Sequence, residues 1–196
     1  MENFKLKSKK IKEIESYCNL IYERNRKLNV KDHILDSNRT GKEINLQGLG
    51  AEIWYKEKYN IPYTLSEDEE NFKPRTYKND IDCIRNGYKL ELKQTSYPSG
   101  CFFIASSDHY RKPRNLLSDV YVLIVGSFPD YERDLYIGLL SLTKKYYDFK
   151  TSNLVPTIHP KIGKLGYHME QDEMYSTLEE ALENDGRTSQ AKTSTM

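Results

Sequence analysis

The stretch DIDCIRNGYKLELKQT, residues 80–95, decides how the chain is read. Apolar and polar residues alternate on both sides of Asn86-Gly87, a pair that accepts the positive φ angles of a two-residue hairpin turn and is the strongest short-range hairpin signal. Such a loop pairs Arg85 with Tyr88. Counting outward then sets Ile84 against Lys89, Cys83 against Leu90, Asp82 against Glu91, Ile81 against Leu92 and Asp80 against Lys93. Because strand side chains alternate, one face carries Ile81, Cys83, Leu90 and Leu92, and the other carries Asp80, Asp82, Glu91 and Lys93. The first face is core; the second concentrates charge.

Two carboxylates directly opposed across a ladder, their β-carbons roughly 5 Å apart, destabilise a passive sheet. Lys93 could offset the repulsion of Asp82 and Glu91 as an ion pair. A divalent cation could do so as well, since paired carboxylate oxygens are its preferred hard ligands. A solvated charged face with an Asp80–Lys93 cross-strand pair is the purely structural alternative, and the hairpin alone leaves these readings open.

Upstream of the hairpin, Ser8 can cap a helix whose apolar residues Ile11, Ile14, Cys18, Ile21 and Tyr22 recur at spacings of three and four, ending near Leu28. A polar stretch from Lys31 to Glu43 follows. Leu46 to Tyr59 then reads as a second helix, stopped by Asn60 and Pro62. On its wheel Leu46, Leu49, Gly50, Ile53 and Trp54 form one arc, with Glu52 on the rim. Gly48 and Gly50 weaken a helix and so suggest close approach of a strand or ligand. Downstream, Cys101–Ala105, Val120–Val125 and Leu135–Leu140 are strand candidates in a mainly antiparallel sheet. A short helical segment near Asp108–Leu117 interrupts them, and Thr177–Leu182 reads as a last helix. After Glu183 the chain offers almost nothing to bury, so residues 184–196 read as a disordered polar tail.

Thirty Lys and Arg against 29 Asp and Glu give a formal net charge of +1, so no strongly basic partner surface is visible in the totals. The charge is nevertheless polarised: residues 1–31 carry a net +5 and residues 169–196 a net −5. Lys7, Lys9, Lys10 and Lys12 therefore read either as a solvated helix face or as a contact to a polyanion. Val120–Val125, the longest apolar run, is far too short to span a bilayer. The charged N-terminus is unlike a secretory signal. Three widely spaced cysteines without a CxxC argue against disulfides and against a cysteine–zinc centre, which leads to the expectation of a reducing intracellular compartment. His33, His109, His159 and His168 show no zinc-ligand spacing. Gly-rich phosphate loops and GxSxG are absent, disfavouring nucleotide kinases and serine hydrolases. Arg111, Lys112 and Arg114, beside Tyr110, read as phosphate contacts or as an ordinary polar loop. Gln94 faces away from Lys93 and is expected to bond to backbone.

Asp82, eight intervening residues and then Glu91-Leu92-Lys93 on a hairpin, preceded by a helix bearing Glu52, resemble the PD-(D/E)xK superfamily of restriction-endonuclease-like phosphodiesterases. The resemblance covers roughly residues 45–145. One departure is that Asn79-Asp80 and Ile81-Asp82 stand where a Pro-Asp is usual, which leaves Asp80 as the alternative ligand to Asp82. The family implies an α/β core with a mixed, mostly antiparallel central sheet flanked by helices. On this reading residues 1–44 are a basic helix and linker, 45–183 the nuclease-like core and 184–196 the tail. The resemblance further implies hydrolysis of nucleic-acid phosphodiesters, DNA before RNA and by endonuclease action, with Mg²⁺ or Mn²⁺ held by Asp82, Glu91 and the Leu92 carbonyl. Lys93 would orient the attacking water, and Glu52 would orient Lys93 or join a second metal, against the alternative of a solvated glutamate. Nucleic acid is the expected partner, a second copy of the chain is compatible with it, and no membrane is involved. An RNA-cleaving enzyme and a non-catalytic nucleic-acid-binding or assembly protein are the rival readings.

Overall fold

The computed structural model describes residues 4–29, 39–65, 81–105, 118–148, 150, 153–160 and 163–187. Two long helices come first, α1 (Ser8–Lys27) and α2 (Gly41–Lys58). Lys7 rather than Ser8 occupies the N-cap position of α1, and no side chain caps it. Helix α2 starts five residues ahead of the expected Leu46. Thr40 and Glu43 form a reciprocal capping box there, each side chain taking the other's backbone N–H.

Strands β1 (Cys83–Arg85) and β2 (Tyr88–Thr95) form the hairpin, with Asn86 and Gly87 at φ values of 53° and 82°. Strands β3 (Phe102–Ala105), β4 (Val120–Ser127) and β5 (Asp130–Gly138) follow, then helix α3 (Leu139–Tyr146). Short strands β6 (Tyr147–Asp148), β7 (Asn153–Leu154) and β8 (Thr157–Ile158) precede β9 (Leu165–Met169) and helix α4 (Leu178–Asn184). The central sheet has the order β1-β2-β4-β5, parallel between β2 and β4 and antiparallel elsewhere. The molecule is thus α/β, with a mixed four-stranded sheet flanked by helices.

Strand β3 is not part of that sheet, contrary to the expectation. It pairs with β9, and β9 with β8, in a separate three-stranded sheet. The Leu135–Leu140 candidate also changes character at Gly138, where β5 gives way to α3. The 108–117 segment lies outside the described residues.

Strand β4 explains the long apolar run. It is buried on both faces, as an interior strand with a parallel neighbour must be. Val120, Val122 and Ile124 join Leu90, Leu92, Ile53, Trp54 and Ile14 on the side of α1 and α2. Tyr121, Leu123 and Val125 join Phe102, Leu142, Tyr146 and Tyr167 on the side of α3 and the small sheet. Sixteen tyrosines supply the bulk that a lean aliphatic content lacks. At Gly50 a β-carbon would collide with the Phe128 ring and the Tyr131 hydroxyl, so the β4–β5 turn packs directly on α2; Gly48 meets nothing.

Residues 184–187 are not tail. Asp185 is buried and accepts hydrogen bonds from the Leu140 and Ser141 N–H groups, both at 2.8 Å. It thereby caps α3 from across the chain, since Gly138 at that helix's own N-cap has no side chain to do so. Arg187 pairs with Asp119 at 2.7 Å. Residues 188–196 lie outside the described residues. No helix among the described residues is long and apolar enough to cross a membrane.

Candidate functional site

The hairpin register is the counted one for the three rungs nearest the turn: Arg85 with Tyr88, Ile84 with Lys89 and Cys83 with Leu90. It departs at Asp82. The Asp82 N–H donates to the Leu90 carbonyl at 3.0 Å, and its carboxylate Oδ2 accepts from the Leu92 N–H at 2.7 Å. The side chain thus takes the place of the next rung, and the rung opposite Glu91 is not formed. Asp80 and its expected pairing with Lys93 lie outside the described residues.

Beyond Leu90, β2 is laddered to β4 along one edge, with Glu91 opposite Tyr121 and Lys93 opposite Leu123. On the other edge, among the described residues, the Asp82 carboxylate meets it at Leu92. Within an extended strand the N–H and C=O of one residue point to the same side, so the Leu92 carbonyl faces the edge that Asp82 occupies. The Asp82 carboxylate and the Leu92 carbonyl therefore lie along the same edge of β2, and oxygens of these two kinds are the ligands a hard divalent cation such as Mg²⁺ takes.

Glu91 and Lys93 share a face and form an ion pair at 2.5 Å, Glu91 at 14% and Lys93 at 38% side-chain exposure. The lysine offset weighed for the charged face is thus formed with Glu91. Leu90, Leu92 and Gln94 point the other way, toward α2. Gln94 donates to the Gly126 carbonyl at 2.6 Å, the backbone bond its facing implied.

Glu52 sits on the rim of α2 at 19% exposure, paired with Lys56 at 3.8 Å. Burial pushes the Cys83 thiol up to about 11; Lys56 opposes this, while Asp82 and Glu52 add to it. Glu52 and Asp82 therefore both lie within electrostatic range of Cys83, and Glu91 and Lys93 project from the face of β2 opposite Leu90 and Leu92. The structure brings Asp82 to the Glu91–Lys93 strand and holds Glu52 next to Lys56 rather than Lys93. Glu52, Asp82 and Glu91 do not converge into one tight cluster. Glu43 is committed to its capping box.

The basic helix divides. Lys7, Lys9 and Lys12 are exposed. Lys10 is engaged internally, with Glu13 at 2.8 Å, Glu57 at 3.6 Å and the Tyr63 ring beneath it. Arg111, Lys112 and Arg114 lie outside the described residues.

Sequence spacing argued against any Cys/His centre, yet the fold places Cys101 Sγ 2.8 Å from His159 Nε2. Among the described residues, Cys101, His159 and Glu170 are the group whose potential metal-ligand atoms all lie within 4.8 Å of one another. No local motif could have announced it, because the proximity arises from the β3–β9 pairing. Comparison with protein-family models, with curated proteins and with solved structures gives no match to this chain.

Proposed function

We propose that the protein is a metal-dependent nuclease that hydrolyses nucleic-acid phosphodiester bonds, a DNA endonuclease on a core related to the PD-(D/E)xK superfamily. The observation that carries this reading is the bond from the Leu92 N–H to Asp82. It fixes one acidic side chain against the strand segment that bears Glu91, Lys93 and an edge-facing carbonyl.

Asp82, Glu91 and the Leu92 carbonyl would hold Mg²⁺ or Mn²⁺. A bound divalent ion supplies charge neutralisation at the scissile phosphate and a water of lowered pKa. The chain's own contribution is positional. Asp82 is held by backbone through one oxygen, so its carboxylate is presented with little loss of side-chain entropy. Lys93 is tethered by Glu91 and can turn its ammonium to charge developing on a phosphate oxygen. Glu52, restrained by Lys56, contributes to the electrostatics of the α2 side. The exposed Lys7, Lys9 and Lys12 supply phosphate contacts outside the reacting centre.

A non-catalytic nucleic-acid-binding protein is favoured instead by one feature: Lys93 already offsets the charge of Glu91 on the strand face. Incubating the full chain with labelled single- and double-stranded DNA and RNA, in Mg²⁺, in Mn²⁺ and in chelator, separates the readings. Metal-dependent cleavage of DNA supports the proposal, cleavage of RNA alone moves the substrate, and binding without cleavage under any condition overturns the enzyme.

A further inference from the structure

The second cluster lies on the other side of the molecule's chemistry, in the small sheet, and owes nothing to the nuclease reading. Strand β3 pairs with β9 in the register Phe102 with Met169 and Phe103 with His168. Continued by one residue, that register sets Cys101 opposite Glu170. Alternation then places Cys101, Phe103, His168 and Glu170 on one side of the small sheet, while Phe102, Ile104, Tyr167 and Met169 enter the core on the other. His159 follows β8 and closes the β8–β9 hairpin, its N–H donating to the Lys164 carbonyl at 2.9 Å.

The His159 ring is buried, at 2% exposure. It stands edge-on to Phe103 at 5.6 Å and 4.9 Å from the His168 ring, centroid to centroid. The Nδ1 atom of His168 is buried with no hydrogen-bond partner among the described residues. An unsatisfied buried ring nitrogen next to a second imidazole calls for an explanation, and a bound ion close by is one.

We propose that Cys101, His159 and Glu170 bind one divalent transition ion of the zinc type, and that the ion clamps β3 to the β8–β9 hairpin. The donor set decides the metal class. Thiolate and imidazole select a borderline-soft ion over Mg²⁺ or Ca²⁺, and thiolate sulfur, imidazole nitrogen and carboxylate oxygen are each ligands that zinc takes. The spacing also fits: with Zn–S about 2.3 Å and Zn–N about 2.0 Å, tetrahedral angles put sulfur and nitrogen roughly 3.5 Å apart. The Cys101–His159 contact of 2.8 Å need open by less than 1 Å to admit the ion. Binding converts the thiol to thiolate and releases its proton to solvent.

The test uses the full chain and does not depend on cleavage. Metal-free protein is titrated with Co²⁺, and thiolate-to-cobalt charge-transfer absorption is followed. The expected result is one ion per chain, displaced by Zn²⁺ and not by Mg²⁺. Cys101→Ser should remove the band and weaken Zn²⁺ binding at least 100-fold, and His159→Gln at least tenfold, with unchanged circular dichroism. Because Cys18 and Cys83 are buried, iodoacetamide labelling located by peptide mass reads Cys101 in the unaltered protein, even if a variant misfolds. Zn²⁺ should slow that labelling more than tenfold. Absence of the band overturns the site, as does Zn²⁺ affinity within twofold of wild type in both variants. Labelling of Cys101 at the same rate with and without Zn²⁺ overturns it too, and is the behaviour of a reactive thiol–imidazole pair instead.

Discussion

Asp82 accepts the backbone N–H of Leu92 through one carboxylate oxygen at 2.7 Å, ending the β1 ladder with a side chain where the next main-chain rung would lie. The bond separates two properties that a simple truncation would confound. An asparagine can still accept from Leu92 through its amide oxygen, but it carries no charge. Asp82→Asn should therefore keep the hairpin, with a loss of about 1 kcal/mol or less, while Mg²⁺-dependent cleavage falls at least 100-fold. Asp82→Ala should lose cleavage equally and stability by roughly 1–3 kcal/mol, since Leu92 is left without its acceptor. Urea midpoints set beside cleavage rates give the check; a fully active Asp82→Asn would remove Asp82 from the site.

Glu91 and Lys93 invite the complementary substitution. Lys93 is more than a third exposed, so solvent screening leaves their ion pair worth about 1 kcal/mol at most. Lys93→Ala should accordingly melt within a few degrees of wild type. If the ammonium acts on the phosphate, cleavage nevertheless drops by roughly 100- to 1,000-fold, the scale of removing one electrostatic stabiliser. A Tm loss as large as the activity loss would make Lys93 structural.

Away from the hairpin, Asp134 is the buried charge on which the fold leans. Its carboxylate meets Lys58 Nζ at 2.5 Å, the Tyr59 hydroxyl at 2.7 Å and the Tyr136 hydroxyl at 2.5 Å. Arg85 joins through the Tyr55 and Tyr136 hydroxyls, each at 3.1 Å, and lies over the Tyr59 ring. The network ties β1 to α2 and β5. Removing the central anion strands a lysine and two phenols, so Asp134→Ala should cost about 3–5 kcal/mol in chemical denaturation. A loss under 1 kcal/mol would mean that water replaces the carboxylate.

The C-terminal segment yields a prediction with a pH dependence. Burial alone would raise the Asp119 carboxyl, but the Lys89 N–H and the Arg187 guanidinium more than offset it and hold the group below its ordinary 3.8. A depressed folded value contributes stability above the unfolded one, lost as pH falls through the folded value. A chain ending at residue 183 loses the Asp185 cap of α3 and the Arg187 pair together. It should be less stable near neutral pH by about 1–3 kcal/mol, from one helix cap and one half-exposed ion pair. The deficit relative to the full chain should narrow below pH 4, which urea midpoints against pH will show.

What the sequence disclosed and what it hid follow from the range of the forces involved. The Asn86-Gly87 turn, the Tyr88–Thr95 strand and the facing of Gln94 are local consequences of turn chemistry and period two, and they stand where alternation put them. Asp82 slipped from its counted place because a carboxylate can substitute for a backbone acceptor, a choice that alternation does not encode. The Thr40–Glu43 box was legible as T-x-x-E and marks the true start of α2. The parting of β3 from the central sheet was not legible, since it depends on a partner strand more than sixty residues downstream. Asp185 was hidden for the same reason: its polar surroundings read as tail until α3 supplied two N–H groups for it to cap.

Substrate affinity should be carried by part of the basic helix, and the structure says which part. Electrostatic attraction to a polyanion acts within a Debye length, roughly 8–10 Å at physiological salt, so the acidic C-terminal stretch need not cancel a basic surface elsewhere. Lys7, Lys9 and Lys12 stand exposed on α1, while Lys10 is occupied by Glu13 and Glu57. Neutralising the three exposed lysines together should flatten the dependence of log K on log salt, by roughly 0.9 for each phosphate that the helix no longer neutralises on duplex DNA. Neutralising Lys10 alone should leave the slope nearly unchanged and act instead on the packing of α1 against α2. Cleavage at saturating substrate should survive both changes, because none of these residues belongs to the Asp82–Glu91–Lys93 strand. Binding is measured from low to moderate salt with Ca²⁺ in place of Mg²⁺ to suppress turnover. An unchanged slope in the triple variant would return α1 to a solvated face, and a slope that moves only with Lys10 would mean that the helix binds through a different register.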